Sequence, residues 1–385
     1  MMLADRAALI LTGGGARVAY QVGVLRAVAE MLPPGAPSPF RIVCGTSAGA
    51  INATAVAAAS DDFPSAVAGL EAIWSRLAVS DIYRADFLYF AQRFGRWLLS
   101  LVPLANRNAS RSLLDNSPLA ALLRREIDFS ALRRRIDGGS LDALAITASS
   151  YRTGTSVSFC AAADGMPMWQ RSQRVGVAAE IGPLHLLASS AIPFVFAPVR
   201  IGDEYFGDGA MRQLAPTAPA LHLGAKRILV VGAAWSSGDA TRARPDTGPK
   251  GRTRAPSAAH IGSHALASIF ADALGTDLER VELVNAAARL IPPERLASSP
   301  LPLREVDLLV ITPSRPLEAL ALEHLKALPP TLRMVLSRIG GTRAEGAGLL
   351  SYLLFEGAYC KALIALGYRD AQERKAELSR HLALS

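Results

Sequence analysis

Between Arg41 and Asp61 no residue carries a charge. The stretch approaches the length of a bilayer-spanning helix, which needs about 20 predominantly apolar residues. Its content argues otherwise, because Gly45, Thr46, Ser47, Gly49, Asn52 and Thr54 interrupt it and alanine supplies much of the rest. A buried strand, a tight turn and a buried helix account for it better. Such a unit needs a fold in which a strand and the helix after it are both interior, as in a sheet covered on both faces.

The rest of the chain repeats the theme. "AALILTGGG" reads as a buried strand entering a glycine turn. "VAYQVGVLRAVAEML" then places Val18, Val22, Leu25, Val28 and Leu32 near helical spacing before Pro33. Further strands are expected in "LDALAITASS", "TSVSFC", "VFAPVRI", "EYFGDG", "RILVVGAA" and "VDLLVITPS", with a hairpin turn at Gly202-Asp203. The expectation is a three-layer α/β/α fold with a mostly parallel central sheet and a helical C-terminal part. Residues 7–235 form its catalytic unit, 236–258 a flexible basic loop and 259–385 a mainly helical region, with 305–314 completing the sheet. Cys44, Cys160 and Cys360 are odd in number and far apart, which is neither a disulfide framework nor a metal-ligand spacing. The N-terminus lacks a basic region followed by a long apolar one, so no secretory signal is read. A cytoplasmic chain, peripheral at a membrane at most, is expected.

Three motifs carry chemistry. "GTSAG" places Ser47 between Gly45 and Gly49 at a strand-to-helix turn, the setting of a nucleophile elbow, with the helix N-terminus favouring negative charge at the serine. Earlier, "TGGGAR" offers the amides of Gly13, Gly14 and Gly15 at another such turn, suited to an oxyanion hole. A P-loop would need Gly-Lys-Ser/Thr, and a dinucleotide site spaced glycines and a later acid; neither is present. The serine needs a base. Ser47 follows a single strand–helix unit, too early for an α/β-hydrolase, and His185, His222, His260, His264, His324 and His381 read individually as packing or capping residues. "GDG" sets Asp208 between Gly207 and Gly209 after a strand; it is the better base candidate, with an ordinary turn aspartate as the competing reading.

Together the motifs resemble the patatin-like phospholipase family, on Gly13-Gly14-Gly15-Ala16-Arg17, Gly45-Thr46-Ser47-Ala48-Gly49, Asp208-Gly209-Ala210 and "ASSAIPFVFAPV". The resemblance implies a Ser47–Asp208 dyad without histidine, oxyanion donors from Gly13–Gly15, and hydrolysis of lipid esters without metal or cofactor. Arg17, Gly45, Gly49 and Gly209 then support the motifs. Val18 departs from the pattern, since the family commonly has glycine there. A carboxylate of ordinary pKa, about 4, is a weak base at neutral pH, so the dyad would lean on its surroundings. Acyl transfer on the same dyad and a silent lipid-binding protein are the alternatives; the intact serine and aspartate argue against the second.

The formal charge of +8 is concentrated. Residues 87–136 hold nine arginines against Asp115, Glu126 and Asp128. No nucleic-acid motif accompanies them, so anionic membrane is the natural counter-charge. Within this stretch, Phe87, Phe90, Phe94, Trp97, Leu98 and Leu101 share one helical face opposite Arg93 and Arg96. If that face meets lipid, Arg93→Glu with Arg96→Glu should reduce co-sedimentation with anionic liposomes while the protein stays folded. Unchanged binding would exclude the segment.

Overall fold

The computed structural model describes residues 6–84, 114–234, 255–269, 273–292, 294–295 and 304–384. Strands β1 (Ala7–Leu11), β2 (Ile42–Thr46), β3 (Ala143–Ser150), β4 (Ser156–Ala162), β5 (Gln170–Arg171), β6 (Arg174–Ala178), β7 (Val199–Ile201), β8 (Glu204–Asp208), β9 (Arg227–Val231) and β10 (Asp307–Ile311) form one sheet. Its order is β10-β9-β1-β2-β3-β4-β6-β5. From β10 to β3 all neighbours are parallel; β4 then runs antiparallel to β3. The mostly parallel α/β sheet expected from the sequence is present, and β10 joins its far edge through β9. The sequence reading missed β5 and β6, a short polar edge hairpin with little apolar alternation to reveal it.

The site is built on the helices α1 (Ala19–Ala29), α2 (Ala48–Ala58), α3 (Phe63–Arg76), α4 (Ser117–Glu126), α5 (Pro183–Ser189), α6 (Ala218–His222), α7 (Ala273–Arg289), α8 (Leu317–Glu323), α9 (Ala347–Leu353) and α10 (Gly357–Glu373). Side chains of β1 alternate between two cores: Ala7, Leu9 and Leu11 face one, Ala8 and Ile10 the other. The larger core lies under α1, α2, α3 and α10. On the other face Trp169, Leu223 and Val306 cover Ile10, Ile42 and Cys44. Local rules explain the individual helices. Asp62 caps α3 by accepting the Ser65 N–H, and Phe63, Val67, Leu70 and Trp74 make its buried stripe. Ten of the eleven residues of α1 are buried, because it lies between the sheet and α10.

One pairing detail positions the site. β2 uses an edge of β3 up to Thr46, which lies opposite Thr147. β8, running the other way, takes up the same edge where β2 leaves it, with Asp208 opposite Ala148. The C-terminal ends of the two strands therefore meet head to head. The turn between β7 and β8 is the expected one, with Gly202 at φ 61°.

Among the described residues no single helix is long and apolar enough to cross a membrane. Residues Ala344–Leu353 and Gly357–Glu373 reach that apolar length only as a pair bent by 96°, and α10 spends its apolar face on α1. The amphipathic segment 87–102 and the basic residues 241–254 lie outside the described residues. So do Arg107 and Arg111. Of the remaining arginines of that stretch, Arg125, Arg133, Arg134 and Arg135 pair with Glu126, Asp137, Asp128 and Asp61.

Where α1 crosses α10 the backbones touch. A Cβ on Gly23 would lie 1.9 Å from the Ile364 carbonyl oxygen, and one on Gly367 2.1 Å from that of Tyr20. Gly23→Ala must push the helices apart and should cost ~1–3 kcal/mol, read as a lower urea midpoint at unchanged slope.

Candidate active site

At the end of β2 the chain turns sharply. Ser47 sits at φ 54°, ψ −133°, a conformation that costs a non-glycine residue about 1–3 kcal/mol. Its surroundings hold it there. The Ser47 N–H donates to Ser189 Oγ at 2.8 Å, and Ser189 Oγ–H donates to the Thr147 carbonyl at 2.6 Å. Gly49 lets α2 close onto the end of β1, since a Cβ there would meet the Thr12 carbonyl oxygen at 2.3 Å. Gly45, before the turn, lies against Ala50 and Ala53 of the same helix.

Asp208 ends β8 facing this turn. Its N–H donates to the Ala191 carbonyl at 2.9 Å, and Ser149 Oγ–H donates to its carbonyl at 2.8 Å. The carboxylate accepts the Ala210 N–H on Oδ1 at 2.9 Å and the Ser47 hydroxyl on Oδ2 at 2.6 Å. Gly209 then passes so close over β3 that a Cβ would lie 2.1 Å from the Thr147 oxygen. Both side chains are nearly sealed from solvent, Ser47 at 2% and Asp208 at 1% exposure. Burial pushes the Asp208 carboxyl up to about 7, against the pull of the Ser47 and Ala210 hydrogen bonds. The ordinary carboxylate assumed from the sequence is therefore corrected: desolvation makes Asp208 a far better proton acceptor near neutrality.

The glycine loop between β1 and α1 stands beside them. Gly15, at φ 56°, nests against the Tyr352 backbone, and it shares one cavity with Ser47. No described residue accepts a hydrogen bond from the Gly13, Gly14 or Gly15 amides. Val18 is helical at φ −69°, so the departure from glycine carries no backbone strain. A buried chain of amides fixes the loop. Gln21 Nε2 donates to the Thr12 carbonyl at 2.8 Å, Asn52 Nδ2 to Gln21 Oε1 at 3.0 Å, and Trp74 Nε1 to Asn52 Oδ1 at 2.8 Å. Arg17 turns away from the serine. It donates to Ser351 Oγ at 2.7 Å, pairs with Glu318 at 2.5 Å and stacks on the Tyr352 ring at 3.9 Å. It thereby ties the loop to α8 and α9.

The histidines are employed elsewhere. His185 Nδ1 accepts the Gly182 N–H at 3.1 Å, His222 stacks on Trp169, His324 lies beside Tyr359 and His381 pairs with Asp307. His260 and His264 lie on the helix Ala258–Ala267. All three cysteines are buried free thiols. Among the described residues no three His, Cys, Asp or Glu side chains are grouped to hold a metal ion. Sequence reasoning missed Ser189, Gln21, Asn52 and Trp74; uncharged polar residues inside otherwise apolar helices were their only signal.

From Ser47 a narrow apolar cavity runs between α2, α3 and α4, lined by Ile51, Leu70, Trp74, Leu119, Leu123 and Phe355 among others. The arrangement can let a carboxylate take a proton from a serine whose attack on an acyl group is stabilised by backbone amides, with an apolar chain held in the cavity.

A family model for patatin-like phospholipase matches residues 9–221. No curated protein sequence matches the chain. Among solved structures it is similar to VipD from Legionella pneumophila, with 14% identity and a TM-score of 0.32 over 94% of this chain and 67% of that one. It is also similar to human GIVD cytosolic phospholipase A2, solved with a fluorophosphonate inhibitor, with 14% identity and a TM-score of 0.43 over 98% and 59%. The full-length ExoU–SpcU complex from Pseudomonas aeruginosa matches at 19% identity and a TM-score of 0.20, over 40% and 34%. The chain thus spans about three fifths to two thirds of the first two.

Between about pH 4, where an unfolded aspartate ionises, and about 7, where Asp208 does, the folded state binds the extra proton. The contribution of Asp208 to stability therefore falls as pH rises through that window. Asparagine can still accept from Ala210 and meet Ser47. Asp208→Asn should accordingly melt at or above the wild-type temperature near pH 8 and lose that advantage near pH 4. Melting well below wild type at both pH values would contradict the assignment.

Proposed function

The chain belongs to the patatin-like phospholipase family, and from that premise we propose that it hydrolyses acyl esters of phospholipids, lysophospholipids or glycerolipids through a Ser47–Asp208 dyad. The observation that carries the reading is the 2.6 Å hydrogen bond between Ser47 Oγ and Asp208 Oδ2, buried at the head of an apolar cavity. Ser47 Oγ attacks the acyl carbon as Asp208 takes its proton. The amides of Gly13–Gly15 receive the charge that forms on the carbonyl oxygen, and the N-terminus of α2 adds a favourable field. The leaving alcohol takes the proton back from Asp208, leaving an acyl-Ser47 ester. Water, deprotonated by Asp208, then attacks the acyl carbon, and Asp208 returns the proton to Ser47 Oγ as the ester bond breaks and the fatty acid leaves.

The cavity accounts for the substrate class. A hydrocarbon chain gains about 0.8 kcal/mol per buried methylene, and its walls offer little else to bind. Burial of Asp208 favours chemistry over silent lipid binding, because a lipid carrier gains nothing from a sealed, desolvated carboxylate on a strained serine.

Wild-type protein should be labelled by a fluorophosphonate at Ser47. Ser47→Ala should lose labelling and reduce ester hydrolysis on the order of 10⁴-fold. Since Asp208 must be ionised to act, kcat/KM should drop about tenfold per pH unit below its pKa, which lies at about 7. Substitution of His185, His222, His260 or His264 should leave the rate within a few-fold. A folded histidine variant as inactive as Ser47→Ala would defeat the dyad.

A further inference from the structure

On the sheet face away from Ser47 lies a second, wider hollow of about 560 Å³. Four arginines line it: Arg171 and Arg174 from the β5–β6 hairpin, Arg280 from α7, and Arg304 from the segment entering β10. His222 closes one side, stacked on Trp169 with ring centroids 4.9 Å apart. The one carboxylate among the lining residues, Asp277, is engaged, its Oδ2 accepting the Thr217 N–H at 2.8 Å and hydroxyl at 2.6 Å. Among the described residues none of the four guanidiniums has an ion-pair partner, and Arg174 Nε is buried without a hydrogen bond.

The site is held in shape. Arg304 donates to the Leu221 carbonyl at 2.6 Å. Asn285 of α7 clasps Val306 through bonds of 2.7 and 3.0 Å, which fixes Arg304 relative to Arg280. Arginine cannot relieve crowding by losing its proton, so four of them around one engaged acid carry a standing repulsion. Its imprint is visible: burial and the charges of Arg280 and Arg171 work against the Arg174 cation and outweigh the pull of Asp277. His222 is pushed down to about 4 by burial and by Arg171, Arg174 and Arg304, and so stays neutral.

We propose that this hollow is a binding site for a phosphate-bearing anion, a phosphomonoester or diphosphate, held by Arg171, Arg174, Arg280 and Arg304. A tetrahedral oxyanion offers several oxygens to several guanidiniums at once, which a single carboxylate cannot. Met168, Val281 and Val284 supply an apolar margin for the rest of the ligand. The site is independent of the serine chemistry.

Calorimetric titration of the full chain with inorganic pyrophosphate in phosphate-free buffer tests this. Saturable one-to-one binding is expected, weakened at least ~10-fold by Arg174→Gln with Arg280→Gln. It should be unchanged in a control that removes equal charge from the exposed Arg338 and Arg369. If the double variant does not fold, Arg280→Gln alone, at an exposed position, serves. Phosphatidylcholine vesicles with and without phosphatidic acid identify the source. Arginine-dependent vesicle binding displaced by pyrophosphate means a lipid headgroup, and pyrophosphate binding without it a soluble ligand. No binding of either, or equal binding by the folded variant, overturns the proposal.

Discussion

Two strands approach one edge of β3 from opposite ends, and the site depends on where they stop. Thr46 and Asp208 face consecutive residues of β3, so the meeting of Ser47 and Asp208 is fixed by backbone pairing. The side chains around that junction reinforce the same stretch of β3. Ser189 is anchored on the Thr147 carbonyl, Ser149 holds the Asp208 carbonyl, and Gln213 reaches Thr147 Oγ1 at 3.3 Å. A one-residue slip of either strand would turn every side chain to the opposite face. It would leave Ser47 and Asp208 in separate cores.

Neither partner is comfortable in this arrangement. Ser47 occupies a backbone region that costs about 1–3 kcal/mol, and Asp208 is ionised only against its burial. Strain and desolvation of this kind persist where the scaffold over-determines them. Here the scaffold is a sheet whose central strands are buried along their whole length and an amide chain running through Gln21, Asn52 and Trp74. The apolar cavity follows from the same packing, because the residues of α2 and α3 that face α4 leave a gap that ends at the serine.

Much of this was legible in the chain. The charge-free run around Ser47, the alternating strands and the spacing of Gly15, Ser47 and Asp208 are local signals, and local signals survive in sequence. What could not be read was long-range. Nothing in "WQRSQRVGVAA" announces an edge hairpin, because β5 has only two residues and β6 leaves most of its side chains at the surface. Ser189 looks like any serine until the fold sets it beneath Ser47. The pKa of Asp208 depends on total burial, which a glycine-flanked aspartate in a turn does not reveal. Arg17 was expected to support the glycine loop; that its guanidinium faces Glu318 and Ser351 needed the fold.

That clamp has a consequence for how the molecule comes into being. The glycine loop is made well before Ser351, which Arg17 grips and which lies 334 residues later. Gly15 waits for the Tyr352 backbone in the same way. Contacts this distant form late, since the intervening chain must be ordered before they are rewarded. All the motif residues from Gly13 to Asp208 will have been synthesised long before the loop has its final support. The nascent chain therefore carries Gly15, Ser47 and Asp208 before it carries the residues that hold the loop, and the loop is fixed only once Ser351 and Tyr352 have arrived.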